Sequence, residues 1–193
     1  MSIRIAFDLS DNDLEHFRMI MKQASSNAQN LSEKEIIAAA EDLLTEVDEG
    51  KVPDFITERL LKLKIMTGML TDSEWQLPKE ETSRVLSALA YFSEPEDLIP
   101  DHIPGLGFLD DAIMVELVVR ELKHEIEAYE DFCAFRQREE AKRGDDDSVT
   151  REEWLAGRRV ELHSRMRRRR RGSRGRGSRA SSSRQVKSPF SIF

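Results

Sequence analysis

Cysteine occurs once in these 193 residues, at Cys133, so no internal disulfide can form and a reducing compartment fits the chain. Long hydrophobic runs are missing as well. Nowhere do the roughly 20 consecutive apolar residues of a spanning helix occur. The opening M-S-I-R-I-A-F-D-L-S lacks the apolar core of a signal peptide. A cytoplasmic protein is expected, peripheral to the inner face of the membrane where it meets lipid. Strand-like alternation is absent, and no repeat recurs at a solenoid period. Proline is scarce, yet three of the six prolines crowd between Tyr91 and Asp111, and Lys and Arg are missing altogether between Arg84 and Arg120.

That interval reads Y-F-S-E-P-E-D-L-I-P-D-H-I-P-G-L-G-F-L-D-D. From Arg84 to Arg120 there are seven carboxylates: Glu94, Glu96, Asp97, Asp101, Asp110, Asp111 and Glu116. Among them stand Leu98, Ile99, Ile103, Leu106, Phe108 and Leu109, which favour burial. A continuous helix would not tolerate the spacing of Pro95, Pro100 and Pro104. A structured connector between two helices is expected. The run resembles the signature of the YkvA-like family, a bacterial domain of unknown function, with the pattern Y-x-x-S-P-x-D-L-I-P-D-x-I-P-x-L-G-x-L-D-D. Tyr91, Pro95, Asp97, Leu98, Ile99, Pro100, Asp101, Ile103, Pro104, Leu106, Gly107, Leu109, Asp110 and Asp111 all match. Glu94 and Glu96 depart from it, the first replacing serine and the second an apolar residue. The resemblance covers residues from about 80 to 133 and implies no agreed activity; it does imply membrane association as one function class.

Elsewhere the periodicity is helical, and an all-α bundle of about five helices is expected. Ser10 with Asp13 and Ser32 with Glu35 read as capping boxes, opening helices carried by Leu14, Phe17, Met21 and by Ile36, Ala40, Leu44. Pro53 and Pro78 suit first helical positions for two more. Trp75 is expected in a single turn at the core edge. One long helix is expected from Asp110 past Phe135, on the stripe Val115, Val118, Leu122, Ile126, Tyr129 and Cys133. The domain is therefore placed at 1–143, an acidic linker at 144–149, a basic helix at 150–171 and a disordered Arg/Gly/Ser tail at 172–193.

The net charge of −7 hides a split. From Arg158 onward stand thirteen Lys/Arg and one acid, Glu161, for +12; the remainder has 17 bases against 36 acids, for −19. Arg165, Arg167, Arg168, Arg169, Arg170, Arg171, Arg174, Arg176 and Arg179 are the candidate polyanion-binding residues, because guanidinium forks pair bidentately with phosphates. Nucleic acid and an anionic membrane surface are both partners of the right charge. A contact between this tail and the acidic body is a third possibility. For the membrane case, the apolar motif residues would form a hairpin tip, opposed by Glu94, Glu96 and Glu116.

Little points to catalysis. Asp97, Asp101, Asp110 and Asp111 are candidate ligands for a hard cation if they converge, with His102 an added donor for a transition metal. Helix starts and proline-rich backbone account for the same aspartates. Gly105 and Gly107 lack the lysine and the strand of a phosphate loop. Cys133 lies on an apolar stripe, and His16, His124 and His163 have no evident partners. No catalytic residue, cofactor or small-molecule substrate is assigned. The expected function is a non-enzymatic helical interaction module whose Arg-rich tail binds nucleic acid or another polyanion; a peripheral membrane module using the motif hairpin and the basic helix is the alternative, and a carboxylate-cluster metal-binding protein the second.

Overall fold

The computed structural model describes residues 8–49, 53–93, 108–142 and 151–177. Among them the chain is all-α, with no strand. The helices are α1 (Asp11–Asn27), α2 (Glu33–Glu49), α3 (Asp54–Thr71), α4 (Lys79–Leu89), α5 (Leu109–Glu121), α6 (Lys123–Lys142) and α7 (Arg151–Gly177); 3-10 turns occupy Ala28–Asn30 and Ala90–Ser93. Both expected capping boxes form. The Asp13 amide donates to Ser10 Oγ at 3.3 Å while the Ser10 amide donates to Asp13 Oδ2 at 2.8 Å. Ser32 and Glu35 repeat the exchange at 3.3 and 2.7 Å. Each satisfies helix-end donors that would otherwise lack an acceptor.

Among the described residues seven helices stand where a bundle of about five and a basic helix are expected. The long helix from Asp110 is divided at Leu122, where the Ile126 amide donates to the Leu122 carbonyl at 2.9 Å and starts the next helix. Neither proline nor glycine marks that break, so the apolar period runs through it unchanged. Pro53 and Pro78 stand one position earlier than expected, each just before its helix, with the carbonyl accepting the first helical amides. At the other end, α7 continues through 172–177, which had been assigned to the disordered tail. Once a helix is nucleated, each further residue adds a hydrogen bond for the conformational freedom it gives up.

The described residues fall into two compact units, with boundaries inside α3, α4 and α5. The first comprises 8–63 and 86–118. In it, α1 and α2 both pack on the Ala90–Ser93 turn. Its core is drawn from Met21 and Ala24, Ile36, Ala40 and Leu44, Ile56 and Leu60, and Ala112 to Val115. The start of α5 is buried on all sides from Asp110 to Val115, as a helix apolar nearly all round must be.

The second unit comprises 64–85 and 119–177. Here α6 and α7 pack side by side around Trp75. Far from lying at the core edge, Trp75 is completely buried. Its indole meets Tyr129 at 5.7 Å, Phe132 at 5.1 Å and the edge of His163 at 4.3 Å between ring centroids. A turn delivers it there: Asp72 Oδ1 accepts from the amides of Glu74 and Trp75 at 2.9 and 3.2 Å. The other Asp72 oxygen accepts from the Tyr129 hydroxyl at 3.2 Å and from Arg136 at 2.8 Å. Trp75→Ala is expected to cost about 3–5 kcal/mol, the usual range for truncating a large buried aromatic. A urea titration followed by circular dichroism checks this, and a loss under about 1 kcal/mol would contradict the placement of Trp75.

Candidate functional site

Two places carry the residues singled out from sequence. The first surrounds the acidic connector in the first unit. Pro95, Asp97, Leu98, Ile99, Pro100, Asp101, Ile103, Pro104, Leu106 and Gly107 lie outside the described residues, as does His102. Of the flanking residues, Tyr91 and Asp110 are brought together, the hydroxyl donating to Asp110 Oδ2 at 3.4 Å with both groups buried. Asp111 is buried beside it, and both aspartates occupy the first turn of α5, where the helix dipole favours negative charge. Phe108, just before the helix, takes the left-handed conformation (φ 62°) and is itself buried. Among the described residues no group of three or more His, Cys, Asp or Glu side chains is arranged to hold a metal ion. Asp110 accepts from Tyr91 and both aspartates stand at a helix start, while Asp97 and Asp101 fall outside the described residues.

The second place is α7. Its inward stripe, Leu155, Leu162, His163, Met166 and Arg170, falls on one face of the helix and is buried. Arg170 ends that stripe inside a nest of acids. It donates to Glu80 at 2.6 Å and Glu81 at 3.3 Å, and lies 3.5 Å from Glu125. Arg84 approaches Glu125 from another direction at 3.4 Å. Glu81 and Glu125 are fully buried. Two carboxylates without water are tolerable only with cations this close, and the planar guanidinium is the cation that can serve several oxygens at once.

Farther along α7, Arg165 donates to Asp131, and Arg169 donates to Glu127 at 3.1 Å. Near the start of the helix, Arg151 pairs with Glu74 and Glu140, and Arg159 donates to the Glu74 carbonyl at 2.8 Å. Arg151 beside Glu74 holds that carboxyl below its usual range. Arg168 and Arg171 face outward, and among the described residues no carboxylate pairs with either or with the half-buried Arg167. Arg174 and Arg176 extend the backbone of the last turns, while Arg179 lies outside the described residues.

Several of these groups escaped the sequence reading. Glu81 reads as a dipole partner at a helix start, Glu125 as part of a polar face, and His163 as a histidine without partners. Their one sequence signal is phase: Glu81 is four residues before Val85, and His163 and Arg170 continue the stripe from Leu155. Cys133, expected on the apolar face, is half-buried beside Tyr129 and Arg136, and burial pushes its thiol up. It shows no sign of activation.

His163 has a calculable consequence. Burial, reinforced by Arg167 and Arg159, pushes its imidazole down to about 4, so the folded protein keeps it neutral where the unfolded chain, at about 6.5, takes a proton. The stabilisation is fully present above pH 6.5 and declines as pH falls to about 4. Allowing for solvent screening, the decline is roughly 2 kcal/mol. His163→Gln should remove it, so that the difference in unfolding free energy between the two proteins changes across that window and is flat above it. Arg170→Met should cost about 3–5 kcal/mol at neutral pH, because Glu81 and Glu125 lose a buried counterion.

The connector and its flanks also carry the similarity to other proteins. Residues 83–117 match a family described as a protein of unknown function (DUF1232). A protein of Bacillus subtilis (strain 168), "Uncharacterized membrane protein YkvA", is 39% identical over 56 residues, which are 28% of this chain and 53% of that protein. The chain therefore spans about half the length of that relative. No solved structure matches. The sequence signature and the family match at 83–117 coincide on α4, the Ala90–Ser93 turn and α5, and over that segment the chain is similar to YkvA-like proteins.

Proposed function

We propose that this protein is a non-enzymatic helical module that associates peripherally with anionic membrane surfaces through the outer face of α7. The observation that carries the reading is the composition of that face. Gly157, Val160, Ser164, Arg168 and Arg171 recur at helical spacing and are all exposed, Val160 at 63%. An exposed aliphatic side chain on the same stripe as arginines that no described carboxylate pairs suits the boundary between headgroups and acyl chains, which rewards both. A nucleic-acid backbone rewards only the arginines. No described helix is long and apolar enough to cross a membrane, which leaves association at the surface as the mode compatible with these helices. The Bacillus relative's designation as a membrane protein supports the same reading.

Flotation of the full chain with vesicles containing about 30% phosphatidylserine, against vesicles of phosphatidylcholine alone, provides the test. Binding is expected only to the anionic vesicles. The Arg168→Gln/Arg171→Gln double variant should weaken it roughly tenfold or more, at about 1 kcal/mol for each arginine near the surface. Val160→Thr, which keeps the charge and the shape, should weaken vesicle binding while leaving any binding to single-stranded RNA unchanged. Equal binding to both vesicle types, or binding to RNA with none to vesicles, would refute the membrane assignment.

A further inference from the structure

We propose that two carboxylates of α6, Asp131 and Glu127, mask the outer arginines of α7 and thereby set how tightly this helix holds an anionic surface. The inference rests on the membrane reading of α7 and adds a regulatory element to it. Arg165 meets Asp131 and Arg169 meets Glu127. The acids are four residues apart on α6 and the arginines four apart on α7, stepping in opposite directions along two helices packed together. One turn of each helix thus supplies one matched pair, and the two pairs form a ladder beside the exposed arginines Arg168 and Arg171.

The ladder differs in kind from the Arg170 nest. Arg170 is buried among Glu80, Glu81 and Glu125 and anchors the helix. The ladder pairs are more open to water: the side chains of Asp131, Glu127 and Arg169 are 49%, 38% and 50% exposed, and that of Arg165 is 26% exposed. Ion pairs in that setting hold weakly and yield to salt. A phosphate-rich surface offers each guanidinium several oxygens at once, so Arg165 and Arg169 can change partners without α7 leaving its seat. Glu127 is shared further, with Lys123 at 3.7 Å and His124 at 3.8 Å, so neutralising it frees more than one cation. Asp131 is the cleaner position.

The test compares full-length wild type, Asp131→Asn, Glu127→Gln and the double variant for binding to phosphatidylserine-containing vesicles. Each neutralised acid should tighten binding about fivefold, since each arginine released near an anionic bilayer contributes about that factor. Glu41→Gln/Asp42→Asn on α2 in the other unit changes the net charge by the same amount as the double variant, with exposed acids. It is expected to tighten binding less than twofold. Equal tightening by this control would reduce the effect to net charge and overturn the masking. Wild type that binds, with variants that bind no better, would overturn the masking while leaving the membrane reading intact. Variants that bind where wild type does not would support masking strong enough to silence the helix. Absence of binding by every protein would overturn both. Far-ultraviolet circular dichroism establishes that each variant is folded; should the double variant lose helix, Asp131→Asn alone decides the matter.

Discussion

The second unit depends on placing two fully buried carboxylates, Glu81 and Glu125, beside guanidinium groups. Moving such groups out of solvent costs several kcal/mol each, and only close cations with good geometry offset it. Arg84 and Arg170 supply them. Arg170 comes from α7, so the most polar helix of the chain is also the one whose removal would leave the core electrostatically unbalanced. That requirement makes the arginine run more than a solvated tail: position 170 belongs to the interior, and its neighbours at 168 and 171 are turned outward by helical geometry.

The same phase relation organises the rest of that unit. Trp75 fills the space between α6 and α7 because Asp72 holds the preceding turn closed and at the same time holds Tyr129 and Arg136. Glu74, two residues on, takes Arg136 and Arg151, and its carbonyl takes Arg159. A short turn thus gathers side chains from two helices. In the first unit the corresponding role falls to the Ala90–Ser93 turn, on which α1 and α2 pack and from which Tyr91 reaches Asp110.

Much of this was legible in the sequence where local chemistry decides the outcome. Both capping boxes involve residues three apart, and both form. The all-α class follows from periodicity that no strand-like stretch interrupts. What depends on distant partners was not legible. The break at Leu122 has no breaker residue, and Trp75 is a core centre only because α6 and α7 close over it. Glu125 has the same one-letter context as many exposed glutamates; an arginine 45 positions later in the chain gives it a different role. The YkvA-like signature was recognisable from its residues, yet a signature with no agreed activity locates a family without locating a chemistry.

The placement of the aromatic rings divides the molecule spectroscopically. Trp75 and Trp154, the two tryptophans of the chain, both lie in the second unit, one against His163 and the other against Phe135. The first unit has Tyr91 as its single chromophore of comparable use, since the other tyrosine, Tyr129, is also in the second. Intrinsic emission excited at the red edge of absorption therefore follows the second unit, and a transition seen by ellipticity but silent in that emission belongs to the first.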